Sequence, residues 1–335
     1  APDQMTAFLL ETANAVRCVR VSLDVPSGIQ ADDGMCTGIC FMAQLTLAFA
    51  AYKPVHCIPQ AAGVCGKVDV LDIGIPEAVL YASLRGSAEI TKASVQSWLP
   101  KRMSNAHKGT YGRLLIVAGS RGMMGAAMMP ILSAMRTGSG LTTLAAPECV
   151  VQAVAPLLME AMTLPLAQTA DGAASAEAIE QLGGALLDKT AVLAGCGLRV
   201  TKNSKRLVEY IIENTNSTVV LDADALSCLA DSPSLLKRAK SPVIITPHIG
   251  EMARLTGQSA EQVAARQAEA AQGFSREYGC VTVLKSHRTV TAAPDGTVWF
   301  NSTGNASLAK GGSGDVLAGM IASFAAQGME PVSAA

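Results

Sequence analysis

The sequence predicts an α/β protein: a mostly parallel sheet with helices on both faces, preceded by a smaller, partial α/β unit. From Gly112 onward, short apolar runs alternate with longer helical patterns, the order that builds parallel sheets from βαβ units. Those runs end in Gly, Asp, Thr or Lys, residues suited to ligand loops at strand ends. Half of the 335 residues are apolar and only 16% are charged, the composition of a packed enzyme rather than of a disordered chain.

Along the chain, residues 1–16 carry helical spacing of apolar side chains, and apolar runs at 19–23, 45–49 and 68–73 read as buried strands. One helix and three strands form a thin layer for a free-standing domain, because so little buried surface hardly offsets the entropy of ordering it. Residues 77–84 predict a closing helix, and the polar stretch 87–106 a connector. The expected division is a partial domain at 1–88, a linker at 89–103 and a second domain at 104–335. In the latter, strands are predicted at 114–117, 141–145, 191–194, 219–221, 243–245 and 281–284, with a helix after Gly125. A hairpin over 289–293 and 298–301 turns at Pro294-Asp295-Gly296.

With 26 basic and 27 acidic residues the net charge is −1, so no electrostatic footprint for nucleic acid or anionic lipid exists and the expected partners are small molecules. The most apolar stretch, 40–52, falls short of the roughly 20 residues that span a bilayer, and no membrane helix is expected. The first residues lack the pattern of a secretory signal. Nine scattered cysteines suit a reducing cytoplasm; Cys36 and Cys40 match no zinc spacing and read, like the others, as small buried hydrophobes.

Several segments that can do chemistry fall at one edge of the predicted sheet. Gly311-Gly312-Ser313-Gly314 before an apolar helical pattern suits phosphate, since backbone N–H groups and the helix dipole converge there. Asp315 beside it either caps the helix, binds a metal or moves a proton. The turns at 119–126 and 194–198 follow strands and are weak signals alone. His248, in Thr246-Pro247-His248, stands at a strand's carboxyl end as a helix-start residue or a ligand contact. Asp222 and Asp224 orient a ligand or end a strand, and Lys285 with Arg288 and Thr289 offers donors to a nucleotide.

Taken together, His107-Lys108-Gly109, the runs 112–120 and 122–126, Leu221-Asp222-Ala223-Asp224-Ala225, 246–251, Thr303-Gly304-Asn305 and 311–315 resemble NAD(P)H-hydrate dehydratases of the ribokinase-like superfamily, over residues 104–328. The runs 21–28, Lys53-Pro54 and 72–76 resemble the carboxyl-terminal half of the Rossmann-like NAD(P)H-hydrate epimerase domain fused ahead of the dehydratase in bifunctional nicotinamide nucleotide repair proteins. The resemblance implies ADP-dependent dehydration of hydrated NADH and NADPH (NADHX and NADPHX), with magnesium. Ala126, Gly197 and His248 would lie along the hydrated nucleotide and Asp315 at the reacting centre. Gly312, Gly314, Lys285, Ser286, His287, Arg288 and Thr289 would bind the adenine nucleotide. In the epimerase-like part Asp24 would contact substrate and Ser27 would help hold potassium, although epimerase activity is not expected of this chain alone because the other half supplies further contacts. A homo-oligomer is expected, as is chain missing at both ends relative to the family.

Departures from the family pattern are Ser286 in place of glycine, Lys310 in place of a small residue, and Gln30 in place of aspartate. The first two bear on nucleotide preference. The alternatives are an ATP-dependent small-molecule kinase of the same superfamily, or a nucleotide-binding fragment without turnover.

Overall fold

The computed structural model describes residues 2–36, 38–83 and 86–335. Its first lobe holds the Gln4–Ala15 helix, capped by Asp3 accepting from Thr6 N at 2.7 Å, and a parallel three-stranded sheet in the order β1 (Val21–Leu23), β2 (Leu45–Phe49), β3 (Lys67–Leu71). The expected closing helix forms at Glu77–Ser83; Leu84 lies outside the described residues.

The second sheet has ten strands: β4 (Ser87–Glu89), β5 (Arg113–Val117), β6 (Leu141–Pro147), β7 (Met162–Leu166), β8 (Ala191–Ala194), β9 (Thr218–Leu221), β10 (Val243–Ile245), β11 (Val281–Leu284), β12 (Val290–Ala292) and β13 (Val298–Phe300). They lie in the order β4-β13-β12-β11-β10-β9-β8-β5-β6-β7, and only β12 runs against its neighbours. The chain leaves β5 for β6 and β7 on one side and returns to β8 on the other. The crevice beyond the carboxyl ends of β5 and β8 is therefore the topological switch point, where open α/β sheets bind ligands.

The central strands read as unbroken apolar runs because they are covered on both faces. Leu115 and Val117 feed one cluster with Leu182, Leu207, Ile211, Met252 and Phe274, while Leu114 and Ile116 feed the other with Ile131 and Ile321. The small lobe is not free-standing: Val55, Cys57, Ile58, Ala61 and Cys65 join the first cluster, and the Arg288 guanidinium donates to the His56 carbonyl.

Three expectations are corrected. The polar stretch after residue 86 is not a structureless connector: β4 pairs in parallel with β13, and Thr91 caps a helix at Lys92–Trp98 by accepting from Ser94 N at 3.1 Å. β7 was not expected, because Pro165 interrupts its pattern; as an edge strand it tolerates the missing donor. Cys36 is exposed and disulfide-bonded to Cys40, the Cα atoms being 6.5 Å apart across a loop, and Cys18 is exposed as well. Among the described residues no helix is long and apolar enough to cross a membrane.

Candidate active site

Strand ends β5 and β8 meet through backbone and side chain. Gly119 N donates to the Cys196 carbonyl at 2.8 Å, and Ser120 Oγ donates to the Gly197 carbonyl at 2.8 Å. Gly197 has φ +65°, and a Cβ placed there would come within 2.7 Å of Ala126 Cβ. Only glycine fits that approach, so two of the residues expected along the hydrated nucleotide adjoin at the switch point.

Next to them a polar cluster forms from four strand ends and one helix start. Asp222, after β9, is 1% exposed; its Oδ1 accepts from Lys285 Nζ at 2.7 Å and from Thr246 Oγ1 at 2.8 Å. Lys285 follows β11 and Thr246 follows β10. Cys196, after β8, is fully buried, and its Sγ donates to Asp222 Oδ2 at 3.9 Å. Ligand atoms of Cys196, Asp222 and Asp315 all lie within 4.8 Å of one another.

The two carboxylates do not share one environment. Burial raises the Asp315 pKa above the usual 3.8; Asp222 and Asp224 push the same way, while the Cys196 thiol and Lys285 oppose them. Such a carboxylate is a stronger base than an exposed one. Burial, with both carboxylates adding to it, pushes the Cys196 thiol well above its ordinary value, so the thiol is protonated and donates.

Asp315 sits in the first turn of the Ser313–Ala326 helix, which starts at Gly312 with φ +89°. The free N–H groups of that turn and Lys285 make a positive edge; a Cβ on Gly314 would lie 3.4 Å from Lys285 Nζ. This is a phosphate-sized concentration of donors with a base beside it. Lys285, expected as a donor to a nucleotide, has its ammonium held by Asp222.

His248 takes the helix-start role. Its Nδ1 accepts from Gly250 N at 3.0 Å and Glu251 N at 3.3 Å, and Glu251 Oε2 accepts from His248 N at 2.8 Å, a reciprocal cap. With Nδ1 accepting, the ring proton is on Nε2, which lies 3.5 Å from Glu251 Oε1. Burial, then Lys285 and Arg254, lower the His248 pKa, which keeps the ring neutral. Lys285 N donates to the Pro247 carbonyl at 2.8 Å, tying the two loops together.

In the loop after β11, Ser286 Oγ donates to the Arg288 carbonyl at 2.7 Å, Asn301 N donates to the Thr289 carbonyl at 2.9 Å, and His287 is exposed. Arg288 points to the small lobe, at the His56 carbonyl, rather than standing free as a donor. His56 in turn accepts from Lys53 N on Nδ1 at 3.0 Å and donates from Nε2 to the Asp24 carbonyl at 2.8 Å. Asp24 has φ +62°; its Oδ1 accepts from Phe49 N at 2.9 Å and pairs with Lys53. Burial pushes the Asp24 carboxyl up, but the Lys53 ammonium and the Phe49 amide outweigh it and hold the group below its ordinary value. Ser27 is exposed and its carbonyl accepts from Phe41 N at 2.8 Å.

Sequence reasoning missed Cys196 and Thr246 as parts of the site. The available signal was position: each is next to a strand's carboxyl end, Cys196 between two glycines of a turn.

Comparison with known proteins places these features. The family model described as NAD(P)H-hydrate dehydratase matches residues 114–335, and one described as the amino terminus of YjeF-related proteins matches 1–55. A bifunctional NAD(P)H-hydrate repair enzyme of Moorella thermoacetica is 38% identical over 331 residues, covering 99% of this chain and 62% of that protein. An ADP-dependent (S)-NAD(P)H-hydrate dehydratase of Bacillus subtilis is 38% identical over 233 residues, covering 69% of this chain and 78% of that one. The crystal structure of the ADP/ATP-dependent NAD(P)H-hydrate dehydratase from Bacillus subtilis, co-crystallised with ATP/Mg2+, superposes with a TM-score of 0.63 at 35% identity over 75% of this chain and 85% of that one. The chain spans about three fifths of the length of the bifunctional relatives, 62%, 60% and 61% of the first three.

Proposed function

The chain belongs to the NAD(P)H-hydrate dehydratase family, and from that premise we propose that it uses ADP to dehydrate the hydrated forms of NADH and NADPH. Asp315 carries the reading: a carboxylate with a raised pKa stands in the first turn of a helix, within 4.8 Å of Asp222 and Cys196 and next in sequence to Gly314, beside which Lys285 lies.

In this mechanism Asp315 removes the proton from the hydroxyl of the hydrated ring, and that oxygen attacks the β-phosphorus of ADP as the bond to AMP breaks. The new phosphate ester is a good leaving group. Its C–O bond then breaks, a proton leaves the neighbouring carbon, and the ring double bond is restored with release of phosphate. Lys285 and the backbone N–H groups of the Ser313–Ala326 helix offset charge on the transferring group.

Magnesium fits this scheme as a companion of the nucleotide rather than of a protein cage. Cys196 is a thiol and Asp222 is already paired with Lys285, a poor donor set for a hard cation that wants free oxygens. The residues that line the hydrated nucleotide are Ala126, Gly197 and His248, with the loop 285–289 and Gly312 on the adenine nucleotide; Arg288 would have to leave His56 to take part.

The same proposal covers a homo-oligomer, supported by exposed Met5, Phe8 and Leu9 on the first helix. The test is the nucleotide balance: one AMP and one phosphate form for each reduced nicotinamide regained. Phosphorylated product accumulating without regained nicotinamide would overturn the assignment in favour of a kinase.

A further inference from the structure

The crevice at the ends of β5 and β8 has a charged rim that the reading above leaves unused. Arg121 follows Ser120, whose hydroxyl is tied to the Gly197 carbonyl, and Arg199 stands two residues beyond Gly197. Both side chains reach the same turn, Thr169-Ala170-Asp171-Gly172, in the loop after β7. Arg121 Nη1 donates to the Ala170 carbonyl at 3.1 Å, while Arg199 Nη1 donates to the Asp171 carbonyl at 3.2 Å and to Asp171 Oδ2 at 3.0 Å.

Backbone contacts fix both arginines. Arg121 N donates to the Gly172 carbonyl at 2.9 Å, and Arg199 N donates to Asp224 Oδ2 at 2.8 Å. Arg199 has φ +64°, a conformation that a residue other than glycine keeps only where its surroundings hold it. The turn is closed as well: Gly172 N donates to the Thr169 carbonyl at 2.9 Å, and Asp171 Oδ1 accepts the Thr169 hydroxyl at 2.5 Å. Two cations thus stand at a turn with one carboxylate, and among the described residues Arg121 has no ion-pair partner. Each guanidinium keeps further N–H donors beyond those on Nη1. A Cβ on Gly122 would meet nothing within 4 Å among the described residues, so the loop beside Arg121 is open.

Resting on the dehydratase reading for the identity of the ligand, we propose that Arg121 and Arg199 clamp a phosphate group of the hydrated dinucleotide. The donors of Lys285 and the Ser313–Ala326 helix serve the phosphoryl group that ADP transfers, and the dinucleotide brings phosphates of its own. The two arginines stand on the two loops that make the Ala126–Gly197 contact, and their planar forks match phosphate oxygens in pairs. Asp171 orients Arg199 and competes with the phosphate for it.

The consequence is a pair of opposed effects. Arg121→Gln and Arg199→Gln each raise the KM for hydrated NADPH about tenfold, the weight of one charge-assisted hydrogen bond, and leave the KM for ADP within twofold. Asp171→Asn releases Arg199 and lowers the KM for hydrated NADPH about threefold. The same shifts with hydrated NADH identify the pyrophosphate as the clamped group; shifts confined to hydrated NADPH identify the 2′-phosphate. Unchanged KM values, a rise in the KM for ADP instead, or three variants that all shift in one direction would overturn the proposal, since a damaged fold produces no opposed pair.

A second measurement does not depend on turnover. Binding of NADPH and NADH, followed by their own fluorescence, should be weaker and less sensitive to salt in the Arg121→Gln/Arg199→Gln double variant than in wild type. Equal affinities in the two proteins, or no binding to wild type, would overturn the clamp. Loss of the dehydratase reading shows differently: folded wild type binds NADPH through both arginines yet regains no absorbance from its hydrate.

Discussion

Two aspartates at strand ends are paired with lysines, one in each lobe, and they differ in burial. Asp222 and Lys285 are 2% and 20% exposed in their side chains, whereas Asp24 and Lys53 are 37% and 28% exposed. The sequence shows the same residue types after the same kind of apolar strand. The difference arises because β9 is central in a ten-stranded sheet with helices on both faces, and β1 is the edge of a three-stranded one. Burial makes the first pair part of a fixed electrostatic frame around Asp315; exposure leaves the second a local tie within a turn.

The largest effect lies at the group that the buried frame serves. Asp315→Ala is expected to lower kcat by a factor on the order of 10²–10⁴, the contribution of a general base, with the fold retained by circular dichroism. A variant within threefold of wild type would remove Asp315 from the mechanism. Next comes the frame itself. Lys285→Met leaves the Asp222 carboxylate buried without its cation, and denaturant unfolding should register a loss of about 3–5 kcal/mol. The matching change in the small lobe, Lys53→Met, is expected to cost about 1 kcal/mol or less, because water takes the lysine's place. Equal losses in the two variants would break the comparison.

The smallest effect is in pH. Asp315 has a raised pKa, so its neutral form is favoured in the folded state; stability from this group is present below the ordinary aspartate value of 3.8 and declines as pH rises through the shifted one. Asp24 is lowered, so its contribution is present above 3.8 and is lost only as pH falls through the folded value. Activity therefore fails on acidification before the Asp24 turn does, measurable as a rate profile whose acid limb lies at higher pH than loss of the small lobe's fold.

Much of the fold was legible because the central strands are buried on both faces and write themselves as unbroken runs: 191–194, 243–245 and 281–284 match β8, β10 and β11 residue for residue. The elements that escaped are edges. β7 contains Pro165, and β4 hides in a polar stretch because only β13 covers it. For the site, strand ends identified the edge that the resemblance populated with Ala126, Gly197, His248, Lys285 and Asp315. What one dimension withheld was pairing. Nothing in Gly195-Cys196-Gly197 signals that its thiol donates to the Asp222 carboxylate from the next strand's end, or that Arg288 turns back to His56.

The measurement closest to the central claim is recovery of the near-ultraviolet absorbance of reduced nicotinamide on mixing the protein with hydrated NADH, magnesium and ADP. The account predicts recovery that requires the nucleotide and vanishes in Asp315→Ala. Folded wild-type protein that restores no absorbance with either ADP or ATP would contradict it.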